Sequence, residues 1–124
     1  MEERSFKRGE IYVANLSPYI GSEQGGTRPV IILQNNLGNI YSPTLIVAPL
    51  TSRTKKKAIP THYLIEDMAA LKENSLVLLE QIKTIDKQRV GEYIGKVSDR
   101  ELKSIEKAVT ISLGFEIPVE IDAP

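Results

Sequence analysis

The sequence predicts a mainly β fold: a small, strongly bent antiparallel barrel that carries one helix at its C-terminal end. Five or six short apolar runs are separated by turn-forming residues. The one clear helical pattern comes last, and no run of strand and helix alternates in the way a parallel sheet requires. A flat α+β sheet with a covering helix is the alternative this pattern leaves open. The 124 residues, 41% hydrophobic and 26% charged, fit one globular domain. A body of that size has a radius of gyration of roughly 14 Å and room for one core. No internal repeat or interdomain linker is visible. Residues 1–115 read as the domain and residues 116–124 as an acidic tail of little structure.

The elements follow in order. EIYVANL (Glu10–Leu16) is apolar and β-prone and runs into the Ser17-Pro18 turn signal. PVIILQ (Pro29–Gln34) and TLIVAPLT (Thr44–Thr51) are short continuous apolar runs typical of buried strands, and NNLGNIYSP between them has loop chemistry. PTHYLI (Pro60–Ile65) and SLVLLEQI (Ser75–Ile82) read as further strands, with a weak helical turn around Met68–Glu73. RVGEYIGKV (Arg89–Val97) adds another. The helix opens at SDRE, where Ser98 and Glu101 have capping-box spacing. Leu102, Ile105, Val109 and Leu113 then share a face, and Gly114 suits the position just past the end.

Composition excludes much chemistry. Without cysteine there is no disulfide framework, thiolate nucleophile or Cys-type zinc site, and a single histidine, His62, argues against a His-rich metal centre. No cofactor is expected. No N-terminal apolar run is long enough for a signal peptide or membrane span, so the chain reads as cytoplasmic with no membrane partner. The net charge is zero but unevenly spread: residues 1–57 hold 8 Lys/Arg against 4 Asp/Glu, and residues 58–124 hold 8 against 12. RTKKK (Arg53–Lys57) concentrates the basic part directly after a strand. It reads either as a solvated loop tip or as a phosphate-attracting loop.

The most informative loop is GSEQGGTRP, residues 21–29. It lacks dinucleotide-binding spacing and the Gly-Lys-Ser/Thr ending of a P-loop, and it leads into a strand instead of a helix. Gly25 and Gly26 permit positive φ and close approach of a ligand. Pro29 as first strand residue disfavours the α region for Arg28, holding that cation extended at the lip of the sheet. An ordinary hairpin loop with a surface arginine remains the other reading of these residues.

KRGEIYVANLSPYIGSEQGGTRPVIILQNN, followed by SPTLIVAPLT, IPTHYLI and LVLLEQIKTIDKQRV, resembles the MazF/PemK toxins of bacterial toxin–antitoxin modules from about Lys7 to Phe115. The resemblance implies an SH3-like barrel shared with the CcdB toxins and a homodimer. It further implies a metal-independent, ribosome-independent endoribonuclease that cuts single-stranded RNA. A MazE-like antitoxin, with a flexible segment lying in the RNA groove, is the implied partner. The family's catalytic arginine falls on Arg28 and its catalytic threonine on Thr51. RNA contacts fall on Ser22, Glu23, Gln24 and Gln81, whereas Arg53, Lys55 and Lys56 are RNA-binding candidates by charge alone. The implied cleavage sites are UACAU-like.

RNA can be cut without a metal because its own 2′-hydroxyl can attack the adjacent phosphorus, leaving a 2′,3′-cyclic phosphate and a 5′-hydroxyl. An arginine fork and a threonine hydroxyl suit the negative charge that gathers on the phosphate oxygens. Arginine is a poor general base, and Glu23 is the chemically attractive alternative. Gln81 is assigned to reading a base or holding the loop. His62, inside a strand pattern, is assigned a structural role. Among Tyr12, Tyr19, Tyr41, Tyr63 and Tyr93, any of which could stack on an unpaired base, Tyr19 beside the glycine loop is the one to test. A CcdB-like toxin that binds a protein such as a topoisomerase, and a noncatalytic nucleic-acid-binding barrel, are the competing functions.

Overall fold

The computed structural model describes residues 4–54 and 59–117. In chain order it contains β1 (Glu10–Asn15), β2 (Thr27–Ile32), α1 (Asn36–Tyr41), β3 (Thr44–Thr51), β4 (His62–Ile65), β5 (Ser75–Leu78), β6 (Lys83–Asp86), β7 (Val90–Lys96) and α2 (Asp99–Ser112). All ladders are antiparallel, in the order β4-β5-β3-β2-β1-β7, with β6 also paired to β3. This is the mainly β architecture with a C-terminal helix that the sequence predicts. Among the described residues β4 and β7 end the path unpaired to each other, so the sheet is strongly bent but open. Register shifts on either side of Tyr12 in the β1–β7 ladder add to the bend, as bulges do.

The apolar runs are continuous because the central strands are covered on both faces. Tyr12, Ala14, Val30, Ile32, Leu45 and Val47 point into the inside of the bend, where Phe6, Ile85 and Val90 complete the packing. Ile11, Ile31, Ala48 and Leu50 point the other way, under Ile105 and Ala108 of α2. Ser98 and Glu101 form the capping box in both directions, each bond 3.1 Å. Gly114 (φ +80°) closes the helix, with Gly114 N–H bonded to Ile111 O and Phe115 N–H to Thr110 O. Leu113 leaves the expected stripe: the helix ends at Ser112 and Leu113 stands 56% exposed.

Three local expectations are corrected. NNLGNIYSP is not a plain loop, since α1 forms there with Asn35 as its cap. The support is tertiary: Gln34 and Asn39 are buried and bonded to each other, and Lys87 Nζ donates to Asn39 O at 2.7 Å. The strand expected over Ser75–Ile82 stops at Leu78, the end of β5; a 3-10 turn, Leu79–Gln81, follows, and β6 begins only at Lys83. The break falls opposite Ala48 and Pro49 of β3, and Pro49 has no N–H for a ladder. β2 starts at Thr27, so Pro29 is not the first strand residue. Its β3 ladder begins only at Val30, which leaves Pro29 where β2 is still an edge. Of the tail, residues 118–124 lie outside the described residues.

Two predictions follow from this packing. Ser98→Ala should lower the unfolding free energy in urea by about 1 kcal/mol without changing the denaturant slope. Burial and the neighbouring Glu10 carboxylate, to which it donates at 2.9 Å, hold the Tyr12 hydroxyl well above the usual tyrosine range. The unfolded state therefore loses this proton first, and stability present below about pH 10 should decline above it. The decline should be smaller in Tyr12→Phe when melting temperature is followed against pH.

Candidate active site

The site grows from the β2–β3 ladder. Val30, Ile31 and Ile32 pair with Pro49, Ala48 and Val47. Carrying that register two positions outward sets Arg28 opposite Thr51, and a shift by two preserves the face in both strands. The two positions thus share the face of the inner core, just beyond its end. Arg28 Nη1 lies 3.5 Å from Leu50 O, beside Thr51.

Each side chain is prepared differently. Arg28 Nε donates to Gly25 O at 2.8 Å and Nη1 to Leu50 O at 3.5 Å, so the guanidinium is anchored on two backbone carbonyls while its side chain lines the opening. Thr51 is buried, and its Oγ1 accepts the Arg53 N–H at 3.2 Å, so its own proton remains for donation. Gly26 adopts φ +73°, and its carbonyl accepts the Leu16 N–H at 2.9 Å, bringing the loop back onto β1.

Loop and strand ends enclose a hollow of about 350 Å³ that holds Tyr19, Glu23, Arg28, Thr51 and Arg53. A second, of about 420 Å³, shares Arg28, Thr51 and Arg53 and reaches Leu71, Lys72 and Ser75. A third, of about 430 Å³, shares Ser22, Glu23 and Gln24 and reaches Gln81 and Lys83. Shared lining residues make the three neighbours, and together they form a trough. Ser22, Glu23, Gln24, Arg28, Thr51, Arg53 and Gln81, singled out in the sequence, all line it. Lys55 and Lys56 lie outside the described residues.

Two bonds give the loop its shape. Gln81 Oε1 accepts the Gln24 N–H at 2.8 Å, tying the loop to the 3-10 turn and leaving the Gln81 amide NH₂ free to donate elsewhere. Glu23 Oε1 accepts the Ile20 N–H at 2.7 Å, closing a turn within the loop. That contact favours a loop-shaping role for Glu23 over proton transfer. His62 does not line the trough. It sits on β4 with Nε2 2.7 Å from Glu80 Oε2, and its buried Nδ1 has no partner among the described residues.

Of the five tyrosines only Tyr19 reaches the hollow with Arg28 and Thr51. Tyr12 is buried edge-on between Phe6 and Tyr93, Tyr63 is held by Glu101, and Tyr41 is exposed on α1. Sequence reasoning missed Lys72 and Lys83 as lining residues. Lys83 follows Gln81 by two positions, a spacing that could have suggested a shared side. Lys72 had no such signal, since its place depends on how the Ala69–Leu71 turn packs.

Comparisons with known proteins bear on the family and the fold. The family model described as PemK-like, MazF-like toxin of type II toxin-antitoxin system matches residues 7–113. Endoribonuclease MazF of Staphylococcus saprophyticus is 52% identical over 110 residues, 88% of this chain and 92% of that protein. A mycobacterial endoribonuclease solved in complex with its cognate antitoxin superposes with a TM-score of 0.75 at 26% identity, over 90% of this chain and 98% of that one. MazF of Deinococcus radiodurans shares the fold, with a TM-score of 0.78 at 24% identity over 90% of this chain and 99% of its own. A match that spans all seven described strands settles the lineage: this chain belongs to the PemK-like, MazF-like toxins of type II toxin–antitoxin systems.

Proposed function

We propose that this chain is the toxin of its module and acts as an endoribonuclease on single-stranded RNA, with Arg28 and Thr51 as its catalytic pair. The observation that carries this reading is the trough in which the Arg28 guanidinium, anchored through Nε, and the Thr51 hydroxyl, whose proton its bond to Arg53 N–H does not use, share one wall. The name and activity of the relative at 52% identity support it. The open shape of the trough suits a strand whose bases are unpaired, and Arg53 and Lys83 along it suit the backbone phosphates.

In the proposed reaction the substrate's 2′-hydroxyl attacks the adjacent phosphorus as its proton passes to a base. The departing 5′-oxygen takes up a proton, giving a 2′,3′-cyclic phosphate and a 5′-hydroxyl. Negative charge accumulates on the non-bridging oxygens, where the Arg28 fork and the Thr51 hydroxyl donate. One well-placed donor of this kind is worth about 10²–10³ in rate. The nucleophile belongs to the substrate, so the reaction requires neither a metal nor the ribosome. Ser22, Gln24 and Gln81 line the loop side of the trough, where base edges would be read and cleavage sequence chosen.

The same reading makes the active species a cytoplasmic homodimer, held in check by a MazE-like antitoxin whose segment occupies the trough. Arg28 and Thr51 are on the strand face and not on a loop tip, so replacing them should leave assembly intact.

Incubating the purified chain with a single-stranded RNA in EDTA tests the proposal. Wild type should cut at discrete sites and leave 5′ ends that a polynucleotide kinase labels without prior phosphatase. Arg28→Ala should abolish cutting, and Thr51→Ala should slow it by about 10²–10³ at unchanged molecular mass in light scattering. Undiminished cutting by both variants would remove the site assignment. No cutting by wild type, with capture of a protein target, would favour the CcdB-like reading.

A further inference from the structure

The proposed nuclease site leaves one contact without an assigned role. A β-carbon built on Gly25 would stand 1.8 Å from Cδ1 and 2.1 Å from Cγ of Tyr19. The aromatic ring therefore fills the space a side chain would occupy, packed against the Gly25 backbone. Gly25 is buried and is not among the positive-φ glycines, so only its lack of a side chain is required here. Its neighbour Gly26 has the opposite requirement, a positive φ with open space around it.

The peptide under the ring is the one that holds Arg28: the Gly25 carbonyl accepts Arg28 Nε at 2.8 Å. The chain is held on both sides of Tyr19. On one, the Ile20 N–H is bonded to Glu23 Oε1 and the Glu23 N–H to Ile20 O. On the other, Arg89 Nη1 donates to Asn15 O and Ser17 O. The ring is also 53% exposed and walls the hollow in which Arg28 and Thr51 lie.

We propose that Tyr19 is a positioning residue, whose ring clamps the Gly25 peptide so that its carbonyl fixes the plane of the Arg28 guanidinium. The contact itself is independent of the nuclease reading, while its consequence for rate rests on that reading. A guanidinium is flat and rigid, so fixing Nε determines where both outer nitrogens point. A phosphoryl group is gripped well only by a fork already in that plane, and misplacement by about 1 Å can cost on the order of 10² in rate.

The test joins kinetics to a spectroscopic readout on Arg28. In ¹⁵N spectra at low temperature the Arg28 Nε–H should exchange slowly with solvent in wild type and Tyr19→Phe. It should exchange fast in Tyr19→Ala and in Gly25→Ala. On one defined RNA, Tyr19→Ala should lose about 10–100-fold in kcat with KM within about twofold. Gly25→Ala should lose a similar factor, and the double variant should be no worse than either single, because both changes break one contact. A Tyr19→Ala variant that raises KM or moves the cleavage sequence, with kcat and Nε–H protection intact, would overturn the proposal in favour of base stacking. If protection follows this pattern while Arg28→Ala cuts like wild type, the clamp stands and the nuclease assignment falls.

Discussion

The register of the β2–β3 ladder is the constraint on which the rest depends. Three paired positions, Val30–Ile32 against Val47–Pro49, lie in the middle of the molecule with core on both faces. A slip of one residue would turn Val30 and Ile32 away from the inner core and Ile31 into it. That is prohibitive when all three side chains are essentially excluded from solvent. Hydrophobic packing thus enforces a pairing that contains no site residue. Its by-product is that Arg28 and Thr51, each two positions past the ladder, are brought face to face where the core ends.

Around that pair the chain adds parts that are specified less by burial and more by hydrogen bonding. The glycine loop returns onto β1 through Gly26, is pinned to the Leu79–Gln81 turn through Gln24 and Gln81, and carries the carbonyl that holds Arg28. The break between β5 and β6 has a use in this arrangement. A continuous strand would keep Gln81 in a ladder along β3, whereas the 3-10 turn frees it to meet the loop. Stability and function therefore draw on different segments: the two cores fix the frame, and the polar segments at its end shape the trough.

Much of the frame was legible in the sequence because its causes are local. Continuous apolar runs marked β2 and β3, Ser98 and Glu101 marked the start of α2, and Gly114 marked its end, since strand burial and helix capping act over a few residues. The helix α1 was not legible. Its apolar residues Leu37, Ile40 and Tyr41 are exposed, so no buried stripe holds it, and it is supported by the buried Gln34–Asn39 pair and by Lys87, far along the chain. Pro49 was visible in the run Thr44–Thr51, but the gap it faces belongs to another strand.

Of the site, the sequence alone determined the residue types: an arginine fixed next to a proline and glycines, a threonine at a strand end, and polar loop residues in an order that matches one family. It could not determine that Arg28 faces Thr51 across 23 positions of chain, or that the Tyr19 ring fills the place of a Gly25 side chain. Those relations follow from register and from shape complementarity between segments. They are decided only when the two cores pack, because the burial energy that selects them comes from residues outside the site.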